Sequence, residues 1–312
     1  MKKIIVAVSG GVDSVVLLDI LAKLSRSGKL NRELIVAHFE HGIREDSVLD
    51  LELVRNLAEN HGLKFEFKHG KLGENSSEEK ARTARYNFLR EISKKYDDAK
   101  IATAHHKNDL AETVLINLER GTGWRGLAVL DSEDIWRPLL GRTKSEILDY
   151  AKKHELSWHE DSTNSSDKYL RNRLRKKLEN SSDENLNSVL NLWQKQIELK
   201  SEIDEEVDEI ILEIIKNKDG KMYFSRYFFS QIESEIAIEI LRKIVMNQTG
   251  KTLTRPQLLN FWLNIKTVQM GKYEEYDCTN RFYLSLGFKE FEVFPTLWDE
   301  WNPCQIYVMA LD

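Results

Sequence analysis

Hydrophobic positions along this chain fall into two alternating patterns. Short continuous apolar runs occur at Ile4–Val8, within Glu33–Phe39 and at Ala99–Ala104. Their length and flanks predict buried parallel strands. Between them the apolar residues recur at helical spacing. Val15 to Leu24 is predicted as a helix, and so is Asp50 to Asn60, closed by Gly62. Ser76 followed by Glu79 predicts a capped start to a helix whose stripe is Ala81, Ala84, Phe88 and Ile92. Asn108 is a predicted N-cap for a helix through Val114, Leu115 and Leu118, and Thr143 with Glu146 opens another that ends near His154. Lys64–Lys68 alternates like a strand, and Trp136–Leu140 reads as a break. Strands alternating with helices predict an α/β fold: an open, mostly parallel, Rossmann-like sheet with helices on both faces.

The pattern changes in the second half. Asp183 to Lys218 is predicted helical throughout, about 50 Å long, and ended by Gly220. Tyr223–Ser225, helices over Phe229–Met246 and Thr254–Ile265, and strand-like pieces at Phe282–Leu286 and Phe288–Phe294 follow. The expected division is a domain over 1–182, a connector helix over 183–218 and a small α+β domain over 219–312.

Composition narrows the function. Among 312 residues 31% are charged, yet the net charge is −5, which excludes a uniformly basic nucleic-acid binder but not a local patch. Lys168–Leu178 is such a patch, with Arg171, Arg173 and Arg175 around Tyr169; a solvated charged helix is the alternative. Cys278 and Cys304 lie far apart, which argues against a disulfide framework, a zinc ribbon or an iron–sulfur cluster held by this chain alone. No apolar run is long enough to span a membrane, and the first is too short for a signal peptide, so a cytoplasmic location is expected.

The densest chemistry lies at Ser9-Gly10-Gly11-Val12-Asp13-Ser14, between the first strand and the first helix. Adjacent glycines let a ligand approach the backbone, the helix start favours an anion, and two hydroxyls add donors. A phosphate-bearing ligand is expected. The acid Asp13 beside it points to magnesium. The spacing fits neither the P-loop nor the dinucleotide fingerprint, and Gly121–Gly126 follows a helix rather than a strand, so it is read as a flexible loop over the site. His38, His41, Gly42 and Arg44 follow the second strand, where open sheets bind ligands. Arg82 and Arg85 share a helix face suited to phosphates, and Asp109 and Glu112 share the first turn of the helix after the 99–104 strand. His105, His106 and Asp109 offer a zinc site as a weaker alternative.

Ser-Gly-Gly-x-Asp-Ser after a first strand resembles the loop of the PP-loop, or N-type ATP pyrophosphatase, superfamily. Further segments follow in order: His38-x-x-His41-Gly42-Ile43-Arg44, Ala81-Arg82-x-x-Arg85-Tyr86, Ala104-His105-His106-x-x-Asp109-x-x-Glu112, Arg120-Gly121-x-Gly123, Arg137-Pro138-Leu139-Leu140, and Glu160-Asp161-Ser162-x-Asn164 ending in Tyr169-x-Arg171-Asn172. Together they resemble the tRNA(Ile)-lysidine synthetases within that superfamily. The likeness is strong over Lys2–Arg175 and thin over Gly271–Phe294.

The resemblance implies a ligase that uses ATP and magnesium to join free lysine to C2 of the wobble cytidine in the CAU anticodon of tRNA(Ile), through an adenylated cytidine. ATP would be held by Ser9, Gly10, Gly11, Val12, Asp13, Ser14, His38, Gly42 and Arg85, with Asp13 also on the metal. Asp13, Ser14 and His105 would act in catalysis, the last as a candidate base. Asp109 and Glu112 would bind lysine, and Arg82, Arg171, Arg173 and Arg175 would bind tRNA. The chain is expected to be a compact form without the further C-terminal domain of many members, and a homodimer is among the assemblies left open. Alternatives from the same loop are a tRNA-thiolating enzyme, a small-metabolite amide synthetase and a non-catalytic adenine-nucleotide sensor.

Overall fold

The computed structural model describes residues 2–40, 47–70, 78–159, 174, 178, 183–218, 221–267, 289–294 and 304–308. Two compact units emerge, Met1–Glu198 and Leu199–Asp312.

The first unit is built on five parallel strands: β1 (Lys3–Ala7), β2 (Glu33–Glu40), β3 (Lys64–His69), β4 (Lys100–Ala102) and β5 (Ile135–Trp136), in the order β3-β2-β1-β4-β5. Period-two alternation sends successive side chains to opposite faces. Ile4, Val6, Leu34 and Val36 face one layer, which holds α1 (Val12–Arg26), α2 (Ser47–His61) and α5 (Lys144–Lys153) through Leu17, Leu21, Val54 and Ile147. Ile5, Ile35 and Ile101 face the other, where α3 (Glu78–Lys95) brings Tyr86, Phe88, Leu89 and Ile92. The α/β class and helices on both faces are as the pattern predicts. Tyr86, which is not in the predicted stripe of Ala81, Ala84, Phe88 and Ile92, is buried with it. Ser76 lies outside the described residues.

Three local expectations are corrected. Trp136, read as the start of a break over Trp136–Leu140, instead belongs with Ile135 to the fifth strand, paired with β4 through Ile101↔Ile135 and Ala102↔Trp136. Two residues before a proline are too few for a periodic signal. Gly121–Gly126 is not a loose flap: Thr122 Oγ1 donates to Asn117 O at 3.0 Å, Asn117 Nδ2 donates to Gly126 O at 2.6 Å, and a 3-10 turn spans Trp124–Leu127. The cap of α4 (Lys107–Glu119) is His106, not Asn108. Asn108 Oδ1 instead accepts from the backbone N–H of Lys144 at 3.0 Å, joining the starts of α4 and α5.

The cap of α5 is as predicted. Thr143 Oγ1 accepts from Glu146 N at 3.3 Å and Glu146 Oε2 accepts from Thr143 N at 2.7 Å, which holds the Glu146 carboxyl below its ordinary range. Thr143→Ala is expected to lower stability to urea by about 1 kcal/mol. Thr143→Ser should retain most of it, and equal unfolding midpoints for all three would mean that the cap contributes nothing.

The long helix α6 runs from Asp183 to Ile214, about 48 Å, and the boundary between the two units falls inside it. In the first unit Leu186 packs with Ala111, and Trp193 Nε1 donates to Val129 O at 2.7 Å. Residues Ile215–Lys218, expected to continue the helix, form β6, antiparallel to β7 (Lys221–Phe224). The second unit adds α7 (Arg226–Gln231), α8 (Ser234–Thr249), α9 (Arg255–Thr267) and a pair of strands, β8 (Lys289–Phe294) and β9 (Cys304–Val308). The expected single helix over Phe229–Met246 is thus two, separated at Ile232–Glu233. Phe229, Ile238, Leu241 and Leu258 are its fully buried centre. Gly220 and Phe282–Leu286 lie outside the described residues. No helix among the described residues is long and apolar enough to cross a membrane.

Candidate active site

The strand order reverses between β1 and β4, because the chain leaves β1 towards β2 and β3 and returns on the other side. Loops at such a point splay apart and leave a crevice beyond the carboxyl ends of the strands. A cavity of about 180 Å³ opens there, lined by Ser9, Gly11, Asp13 and Ser14 after β1, Thr103, His105 and Asp109 after β4, and Arg85 and Leu89 from α3.

The loop after β1 is held from within. Ser14 is buried; its Oγ donates to Gly11 O at 2.8 Å, accepts from Ser9 N at 3.1 Å and lies 3.2 Å from Ser9 Oγ. Ser14, expected to contact phosphate, therefore acts first as the pin of the loop, whereas Ser9 is exposed. Gly10 has φ +97°, and a Cβ there would meet Asp50 Oδ1 at 3.1 Å. That conformation and that neighbour require glycine. Asp50 Oδ1 also accepts from His159 Nδ1 at 2.7 Å, and His159 N donates to Gly10 O at 3.1 Å. Intrahelical bonds begin at Ser14 N→Gly11 O, so the N–H groups just before it lie at the positive end of α1. Val12 is buried as the first helical residue.

Asp13 Oδ1 accepts from Lys144 Nζ at 2.6 Å and lies 3.8 Å from His106 Nε2, which is itself 3.4 Å from Asp109 Oδ2. One row of groups, Lys144–Asp13–His106–Asp109, thus crosses the crevice edge. Asp109 is fixed by the cap, accepting from His106 N at 3.0 Å. Glu112, expected beside it in the crevice, is instead buried and does not line the cavity. Three residues advance a helix by about 300°, a net offset of about 60°, and Glu112 counts among the buried residues of α4 while Asp109 lines the cavity.

His105 and His106 have different partners. His105 Nδ1 is 2.9 Å from Thr103 Oγ1, while His106 caps α4, and among the described residues no group of three metal-ligating side chains is gathered. Burial, and then Arg137, Arg82 and Arg85, push His105 down to about 3. At neutral pH His105 is thus an uncharged hydrogen-bonding group beside Thr103. Because its folded pKa lies below the unfolded value, this group's share of stability is intact above about pH 6.5 and declines as pH falls towards 3. His105→Gln is expected to flatten the acid side of the stability profile, by up to about 1.4 kcal/mol per pH unit. An unchanged acid limb would mean that the imidazole titrates normally.

His38 is buried behind the loop, its Nδ1 2.8 Å from Val8 O, and burial pushes its pKa down. A neutral ring donates from Nδ1 to that carbonyl and leaves Nε2 as an acceptor, which has no partner among the described residues. Arg82, expected to share a face with Arg85, opens into a neighbouring cleft instead. Gly42, Arg171, Arg173 and Arg175 lie outside the described residues. Reasoning from sequence missed Lys144, Asp50 and His159. Each is distant in the chain from the loop it supports, and none sits in a motif of its own.

Similarity to known proteins agrees with this geometry. A tRNA(Ile)-lysidine synthase of Thermosipho africanus is 41% identical over 184 residues, 56% of this chain and 43% of that protein. The enzyme of the same name from Thermotoga maritima is 40% identical over 57% of this chain and 44% of its own length. The chain thus spans less than half the length of the curated relatives it matches. Among solved structures, the U34-tRNA thiolase NcsA of Methanococcus maripaludis, which carries a [4Fe-4S] cluster, superposes with a TM-score of 0.56 at 21% identity, over 63% of this chain and 72% of that one. That likeness concerns the fold alone. The PP-loop domain profile matches residues 1–182, more than half of the chain, and with the Ser9–Ser14 loop at the switch point of a parallel sheet, this chain belongs to the PP-loop family.

Proposed function

We propose that this chain is an ATP-dependent ligase that forms lysidine on tRNA(Ile). The observation that carries the reading is the crevice itself: a phosphate-type loop on one wall and the capped Asp109 on the other. The relatives named tRNA(Ile)-lysidine synthase support the choice within the family.

In the first step the cytidine C2 oxygen attacks the α-phosphorus of ATP and pyrophosphate leaves. In the second, the uncharged ε-amine of lysine attacks C2 and AMP leaves. Ser9, Gly11 and the start of α1 bind the phosphates, and Arg85 offers a further cation to them. His105, uncharged, serves as a hydrogen-bonding wall. Asp109 pairs with an ammonium of lysine. Arg171, Arg173 and Arg175 are the further side chains proposed to bind the tRNA backbone.

Magnesium fits the donor set, because it needs only one or two carboxylates when phosphates and water supply the other oxygens. Asp13 is the carboxylate that would hold it, through Oδ2 or after Lys144 releases Oδ1. When bound, the ion would neutralise charge on the departing pyrophosphate.

Pyrophosphate release measured with ATP, tRNA(Ile) and single amino acids tests the reading. Release is expected to need the tRNA, and lysidine to form only with lysine. Release with a small acid acceptor and no RNA would favour an amide synthetase, and ATP binding without turnover would favour a sensor.

A further inference from the structure

A second cleft, of about 370 Å³, opens in the first unit between α3 and β5, lined by Arg82, Tyr86 and Arg90 and, across from them, Ile135 and Arg137. Exposed Glu79 is an acid on its rim. Three guanidinium groups surround the Tyr86 ring, Arg82 at 5.0 Å, Arg85 at 5.5 Å and Arg90 at 5.8 Å. Arg90 is neutralised by Asp134 at 2.8 Å. Among the described residues neither Arg82 nor Arg137 forms an ion pair, and Asp134 and Asp131 act on Arg137 only through longer-range attraction.

The cleft also holds donors with nothing to donate to. Tyr86 is 8% exposed, and its hydroxyl is buried without a hydrogen-bond partner among the described residues. The same holds for Nε of Arg137, whose Nη1 reaches only Ile135 O at 3.3 Å. Buried polar groups in folded proteins are normally paired, so two orphan donors beside the Arg82 and Arg137 guanidinium groups mark the seat of an absent acceptor. The acceptor must be anionic and offer several oxygens, which is the chemistry of a phosphate held by arginine forks.

The location selects the source. Arg82 and Arg85 stand one turn apart on α3, and one opens into each cavity. Phosphates of a nucleotide have their own loop in the crevice. A polynucleotide that puts one base into the crevice must pass its backbone over an adjoining surface. We infer that Arg82, Arg137 and Tyr86 form a phosphodiester subsite that grips the backbone of the RNA whose base enters the crevice. This rests on the RNA substrate proposed above.

The test combines RNA affinity over a range of salt with NMR of the arginine Nε–H groups, on the whole chain, using an anticodon stem-loop RNA, ATP and inorganic phosphate as separate probes. RNA is expected to shift the Arg82 and Arg137 signals. Arg82→Gln should lower the slope of log affinity against log salt by about one unit, and Tyr86→Phe, which keeps the ring, should weaken RNA binding severalfold with the slope unchanged. ATP affinity should hold in both, which also reports that the fold is intact. RNA binding with unmoved signals and a wild-type slope in Arg82→Gln would remove the subsite and leave the lysidine reading standing. Equal shifts with phosphate or ATP would make it a general anion site and overturn the RNA assignment. If the wild type bound no RNA, both readings would fall.

Discussion

Ser14→Ala is expected to lower tRNA-dependent ATP–pyrophosphate exchange about a hundredfold, without unfolding the protein. The hydroxyl is buried and makes three contacts within six residues of chain, to Gly11 O, Ser9 N and Ser9 Oγ. Alanine removes all three. The loop then loses the shape that aims its N–H groups at phosphate before the substrate arrives. Losing one preorganised donor of a transition-state charge typically costs about 3 kcal/mol, which is about a hundredfold. Asp13→Ala should reduce exchange by a similar factor through a different route, since it removes the carboxylate proposed for magnesium and leaves Lys144 Nζ without its 2.6 Å partner. The two variants should differ with metal: raising magnesium should partly restore exchange to Ser14→Ala and not to Asp13→Ala. Wild-type exchange in Asp13→Ala would take that carboxylate out of adenylation.

Asp109→Asn is expected to separate the two chemical steps, so that adenylated tRNA accumulates and lysidine does not form. Free lysine brings two ammonium groups, and Asp109 is the one acid besides Asp13 that lines the crevice among the described residues. Removing one partner of a desolvated charge pair typically costs about 2–5 kcal/mol, so the lysine requirement should rise at least about thirtyfold. Asparagine keeps an oxygen that can accept from His106 N, so the start of α4 and the first step should survive. Glu112→Gln makes the comparison decisive. That side chain is buried away from the cavity, so its loss of charge should alter stability more than lysine dependence. Equal lysine requirements in the two variants would return Glu112 to the lysine site. A wild-type requirement in Asp109→Asn would leave its carboxylate with only the helix cap to serve.

The parallel α/β class, the strands β1 and β2, the capping box at Thr143–Glu146 and the turn at Ser9–Ser14 between β1 and α1 were all legible in the residues themselves. These are local properties. A continuous apolar run is buried whichever strand it neighbours, a cap is satisfied within four residues, and two glycines at a strand-to-helix turn act on their own backbone. The remaining features came from packing between distant parts of the chain. The two residues of β5 became a strand because β4 offers an edge to pair with. Ile215–Lys218 left the helix because Lys221–Phe224 supplied a partner ladder. Lys144 reached Asp13 across 131 residues of chain, and Asp50 and His159 closed over Gly10 from two other elements. Arg82 and Arg85, three apart and alike in sequence, were divided between two cavities by the rotation of one helix. Such pairings depend on which surfaces meet when the sheet and its helices pack, and hydrophobic periodicity specifies which face is buried but not which distant side chain will lie against it.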